Sequence, residues 1–264
     1  MPRICLATLG LRLFVAVVVC FLLLPIVIVI PLAFGNDGSL IFPPRGLSLR
    51  WFANIFQRPE FLSAFALSAA VALVATTISL VAGSLAAYAL ARFRFPFRGA
   101  LEMVFLTPLI FPAIVLGLAL SIVLGPLGLL RSFWGLVLAH TILTLPYIIR
   151  TLTGTLKELD RSIEEAALVL GANPWRMVSL VLFPLLRPGI LAGAIFALII
   201  SFDEFTVTLF LVGPRLNTLP IEIFNYVEFN IDPTVAAIST ILIGLSTLAV
   251  VLIERLVGLA RILT

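Results

Sequence analysis

Six long apolar runs separated by short polar connections organise this chain. They cover residues 13–34, 61–91, 101–124, 133–152, 189–212 and 233–253. A helix needs about 20 largely apolar residues to cross roughly 30 Å of hydrocarbon, and each run is long enough. Only helices and closed barrels satisfy their backbone polar groups inside lipid, and runs without strict alternation predict helices. The expected fold is all-α, with about six transmembrane helices in a single transmembrane domain over 1–264. The second run leaves room for an interfacial turn. The first carries no charge, and it is longer than the apolar stretch of about 7–15 residues in a secretory signal. Gly35-Asn36-Asp37 after it does not resemble a cleavage site, so an uncleaved first span is predicted.

Composition excludes a soluble fold. Apolar types make up 62% of the chain and charged types 11%, against roughly half and a quarter in soluble domains. The formal net charge is +4. No basic stripe with interleaved aromatics is present, so a nucleic-acid partner is not expected. The positive charges sort by side instead. One side of the predicted helices holds Arg3, Arg12, Arg92, Arg94, Arg98, Arg150, Lys157, Arg161, Arg176, Arg187, Arg255 and Arg261. The other holds Arg45, Arg50, Arg58, Arg131 and Arg215. The positive-inside rule makes the richer side cytoplasmic, with both termini inside. Cys5 and Cys20 are read as ordinary small apolar residues, and the single histidine, His140, cannot form a histidine metal cluster.

Small residues recur every fourth position in the second run, at Gly83, Ala87 and Ala91 and at Ser68, Ala72 and Thr76. Such stripes let helix backbones approach closely in lipid. They indicate packing and carry no functional information.

The connection over 153–188 is long and reads as structured. Ser162-Ile163-Glu164-Glu165 fits a capping box, with Ser162 at the N-cap and Glu165 three residues on. A short helix over 163–170 follows, and Gly171 fits the left-handed residue that ends it. Asn173-Pro174 then fits the cap and first position of a second helix. Small Ala166 and Ala167 allow close approach of a partner, and Glu164 and Glu165 complement the helix dipole or meet a basic partner. The alternative is that the cap merely orders a loop.

Glu165-Ala166-Ala167, three residues, Gly171, nine residues and then Val181-Leu182-Phe183-Pro184 resembles the EAA motif of ABC-importer permeases. Val181 and Phe183 stand where that motif has Ile and Leu. The resemblance covers most of the chain and implies a type I importer permease (MetI-like) fold in a bacterial inner membrane. It assigns coupling to an ATPase to Glu164, Glu165, Ala166, Ala167, Gly171 and Pro184, within a cytoplasmic coupling loop over 153–188. It implies two ATP-binding subunits, a second and non-identical permease, and a soluble substrate-binding protein as partners. ATP and Mg would sit on the ATP-binding subunits, with no cofactor on this chain. Consistently, Lys157 lies between Leu156 and Glu158, not in a phosphate-binding loop. Ser48-Leu49-Arg50-Trp51-Phe52 and Ser201-Phe202-Asp203-Glu204-Phe205 are similar to the spermidine/putrescine branch, as are Gly213-Pro214 and Leu219-Pro220.

Asp203 and Glu204 fall inside the fifth apolar run, where a carboxylate costs roughly 2.5–3.5 kcal/mol on insertion scales. Asp203 is expected in the outer half of the membrane, lining a path for a cationic amine. Glu204 assists it or pairs with a neighbouring helix, and the alternative is an interhelical hydrogen bond or ion pair with the partner permease. Trp51 is a candidate contact for substrate or binding protein, or an interfacial anchor. The connection over 213–232, with Glu222, Glu228 and Asp232, docks a binding protein or is simply solvated. His140 is read as a hydrogen-bonded packing residue, and Pro146 as a kink. The competing function is a proton-coupled secondary transporter of a small amine using Asp203, Glu204 and His140.

Overall fold

The computed structural model describes residues 6–214 and 216–257; Arg3, Cys5, Arg215 and Arg261 lie outside the described residues. Among the described residues all regular structure is helical, in the order α1 (Leu6–Ala33), α2 (Arg50–Gln57), α3 (Pro59–Arg92), α4 (Arg98–Ile110), α5 (Ala113–Leu124), α6 (Phe133–Glu158), α7 (Ser162–Val169), α8 (Pro174–Arg176), α9 (Phe183–Phe202), α10 (Leu219–Phe229) and α11 (Thr234–Val257). A π-helical turn, Met177–Leu182, joins α8 to α9, and a 3-10 turn, Thr208–Phe210, follows α9. Among the described residues five helical stretches are long and apolar enough to cross a membrane, and the bent pair α4–α5 brings the number to six if it counts as one span.

The second run is one continuous helix, α3, with no internal turn. The third run is not a straight span. Helices α4 and α5 meet at 108° across Phe111-Pro112. Pro112 has no N–H, and a proline pushes its predecessor to extended backbone, as at Phe111 with φ −74° and ψ 142°. The fifth span also differs from expectation. Helix α9 begins at Phe183 and ends at Phe202, so residues 203–212 lie beyond it. The connection over 213–232 contains α10, an eleven-residue helix with Pro220 in its first turn, a position proline tolerates.

The chain forms two compact units. One contains α1, α2 and Ile223–Leu245. There α1 exposes apolar side chains such as Leu13, Phe14 and Phe21 along its length. Phe34 packs on Phe52 with ring centroids 5.1 Å apart, and Arg58 lies over the ring of Tyr226 at 4.8 Å. Tyr226 Oη donates to Asp232 at 2.6 Å, and Asn54 Nδ2 donates to Thr234 Oγ1 at 2.9 Å.

The other unit extends from Ser63 to Glu222 and takes in the end of α11. It holds two apolar clusters. One gathers Val71, Leu120, Leu124, Leu136, Leu143, Val207 and Leu211. The second gathers Ala87, Ile148, Leu152, Leu156, Met177, Leu182, Leu186 and Ala197. The small-residue stripes of α3 face this packing: Ser68, Ala72, Thr76 and Ala87 are buried, and Gly83 lies directly against Ile148.

Candidate functional site

The connection over 153–188 folds as helix, sharp turn, helix. Its first cap differs from the predicted box. Asp160, not Ser162, provides the side chain: Asp160 Oδ1 accepts from the Ser162 N–H at 2.9 Å, and the Asp160 carbonyl accepts from Ile163. Ser162 is the first helical residue of α7, so its hydroxyl stands one step too late to cap. Glu165 does not reach back to a backbone donor but pairs with Arg161 at 3.3 Å on the open surface. The Ser162 backbone N–H, with the Ser162 hydroxyl, holds the Asp160 carboxyl below the usual aspartate range.

The rest of the turn follows the sequence. Gly171 has φ +89°, a conformation glycine adopts without steric cost, and its N–H donates to Leu168. The Ala172 N–H donates to Ala167, closing the end of α7. Asn173 Oδ1 accepts from the Arg176 N–H at 2.8 Å, with Pro174 at the first helical position. The ring of Pro184 would clash with the carbonyl of Leu180 in a regular α-helix, and the π-helical turn over Met177–Leu182 widens the spiral at that point.

The site residues divide by side. Glu165, Ala166 and Gly171 are exposed, Ala167 and Pro184 are half-buried, and Glu164 is buried at 6% exposure. Glu164 turns inward, away from any basic partner outside. Its Oε1 accepts from Arg92 Nε at 2.5 Å and its Oε2 from Tyr88 Oη at 3.0 Å. Arg92 also donates to the Leu159 carbonyl at 3.2 Å. The tip of the turn presents apolar side chains to the outside, with Val169 86%, Leu170 88% and Trp175 77% exposed. Sequence reasoning missed Asp160, Tyr88 and Arg92. An aspartate two residues ahead of Ser162 was a visible rival cap. The partners on α3 are more than seventy residues away and left no local signal.

The two carboxylates of the fifth run stand past the end of their helix, not within it. Asp203 is the C-cap residue of α9 and is exposed. Glu204 Oε1 accepts from the Val207 N–H at 2.8 Å and so orders its own turn. Neither carboxylate therefore imposes the mid-helix cost anticipated from the apolar run. Nearby, His140 is buried at 1% exposure. Its Nδ1 pairs with Ser201 Oγ at 2.8 Å and its Nε2 with Thr208 Oγ1 at 3.0 Å, the packing role expected for it. In the other unit, Trp51 donates its indole N–H to the Gly35 carbonyl at 2.8 Å, and Arg50 lies over its ring at 4.3 Å. The polar edge of Trp51 is thus used within its own unit.

Comparison with known proteins gives one consistent result. The model of the family described as binding-protein-dependent transport system inner membrane component matches residues 79–261. The spermidine/putrescine transport system permease protein PotC of Haemophilus influenzae is 32% identical over 244 residues, 92% of this chain and 94% of that one. The putrescine transport system permease protein PotI of Escherichia coli K12 is 32% identical over 232 residues, 85% of this chain and 82% of that one. The crystal structure of a bacterial ABC transporter involved in the import of the acidic polysaccharide alginate includes a chain of similar fold. Its TM-score is 0.73 at 16% identity, covering 98% of this chain and 99% of that one.

Proposed function

Because the chain belongs to the binding-protein-dependent transport system inner membrane component family, we propose that it forms half of an import pathway for a small cationic substrate, a polyamine such as spermidine or putrescine. It is a multi-pass inner-membrane permease subunit of an ABC importer, and the proton-coupled secondary transporter is withdrawn, because this family depends on a binding protein.

ATP is hydrolysed on two separate subunits that dock on α7 and α8 from the cytoplasm. A second, non-identical permease completes the path, and a soluble binding protein delivers substrate from the opposite side. Both termini lie in the cytoplasm. The observation that carries this reading is the doubly capped α7–turn–α8 unit with its exposed apolar tip of Val169, Leu170 and Trp175. A short capped helix is stiff enough to pass on a push, and an apolar tip of this kind suits a protein partner. Glu165, Ala166 and Gly171 form the docking face, and Ala167 and Pro184 set the packing behind it. The polyamine assignment is supported by the names of the relatives and by the exposed carboxylate of Asp203, which attracts a cation in a partly dehydrated path.

The test is co-expression with candidate ATP-binding, second-permease and binding-protein partners, then purification through a tag on this chain. Co-purification of an ATP-binding subunit and ATP-dependent uptake of labelled putrescine or spermidine into proteoliposomes are expected. Capture of no ATP-binding subunit overturns the importer reading. Assembly with ATP-driven uptake of an uncharged solute, and none of a polyamine, overturns the substrate.

A further inference from the structure

We infer that the buried Glu164–Arg92 pair, braced by Tyr88, is a mechanical link that makes α3 move with α7. The inference rests on the importer reading. By chain connectivity alone, α7 is tied only to α6 before it and to α8 after it. Gly171 sits at the second junction, where two backbone hydrogen bonds close the end of α7. A push on α7 transmitted only by those junctions would partly dissipate as rotation of an eight-residue helix.

The structure contains a third attachment. Glu164 projects inward from the first turn of α7. Arg92 and Tyr88 lie one turn apart in the last two turns of α3, on one face, and both donate to Glu164. Both charged side chains are largely withdrawn from solvent, at 9% and 8% exposure. The same Arg92 donates to Leu159, the residue that caps the end of α6. One guanidinium thus joins α3, α6 and α7. Charge-assisted bonds in a dry setting are short and directional, and breaking one leaves a buried charge alone. The link is therefore stiffer than apolar contact, which lets helices slide. Glu164 is a positioning residue for transport, distinct from Glu165, whose side chain lies on the open surface.

The experiment uses the full complex in proteoliposomes and reads substrate taken up per ATP hydrolysed. Glu164→Gln and Arg92→Gln are each expected to lower that ratio about fivefold or more, the lower end of ordinary coupling between sites. The double variant is expected to be no worse than the poorer single variant, because both act through one contact. Tyr88→Phe, which removes one hydroxyl, is expected to give a smaller loss of the same kind and remains informative if a charge variant does not fold. A wild-type ratio in the assembled single variants overturns the link, even where less complex assembles. So do losses that multiply in the double variant. A wild-type chain that captures no ATP-binding subunit overturns the importer reading itself, a result visible before any variant is made.

Discussion

A Cβ added to Gly83 on α3 would lie 2.7 Å from Cγ2 of Ile148 on α6. Ile148 is fully buried, so its branched side chain has nowhere to swing. Overpacking of this kind costs about 1–3 kcal/mol. Gly83→Ala is expected to lower the thermal midpoint of the purified protein in detergent, and Gly83→Leu to lower it further. Midpoints unchanged in both variants would show that the two helices are not held at this distance.

His140 joins three elements through Ser201 and Thr208. His140→Ala removes both partners' bonds and leaves two buried hydroxyls to find new ones, at about 1–3 kcal/mol for each group left unsatisfied. A lower thermal midpoint is expected, with a milder effect for His140→Gln, which keeps a donor and an acceptor. A wild-type midpoint in His140→Ala would contradict the bridging role.

The Asp160 cap gives α7 an acid-sensitive start. The Ser162 N–H depresses the Asp160 carboxyl. A depressed carboxyl contributes stability above its unfolded pKa and loses that contribution as pH falls through its folded value. Hydrogen exchange at the amides of residues 162–165, corrected for intrinsic rate, should therefore show protection that holds at neutral pH. It should weaken below the ordinary aspartate range. Asp160→Ala should lose this protection at every pH, and Asp160→Asn should retain much of it, since asparagine also caps. Equal protection in wild type and Asp160→Ala would return the cap to Ser162.

Asp203 and Glu204 are expected to separate by role despite adjacency. Asp203→Asn is expected to reduce polyamine uptake by tenfold or so, the equivalent of about 1.4 kcal/mol, with assembly unchanged. Glu204→Gln keeps an oxygen for the Val207 N–H and is expected to keep most uptake. Full uptake by Asp203→Asn in reconstituted vesicles would remove that carboxylate from the path.

The parts legible in the sequence are those determined by neighbouring residues. Gly171, Asn173 and Pro174 act over one turn of chain, and the structure has them where their chemistry required. The capping box failed because Asp160 and Ser162 compete for the same few donors. The aspartate sits two residues earlier and takes the Ser162 N–H. Hydropathy located the spans but could not see where a helix stops inside an apolar run. The end of α9 at Phe202 is set by the turn that Glu204 orders and by the buried grip of His140 on Ser201 and Thr208. Glu164 was legible as a helix-start carboxylate but not as an inward one, because Tyr88 and Arg92 reach it only through the fold.

The corner between α4 and α5 has a consequence for solvent. A sharp reversal ordinarily strands amide hydrogens, and oil offers them nothing. Here Phe111 still donates to Thr107, Pro112 has no hydrogen to donate, and its carbonyl receives Val115 and Leu116. The chain turns through more than a right angle while the imino acid at the vertex asks for no outside acceptor, although the Ala113 and Ile114 amides that open α5 have no carbonyl of their own helix to reach. Restoring a hydrogen with Pro112→Ala would create a thirst that only water or a neighbouring oxygen could quench.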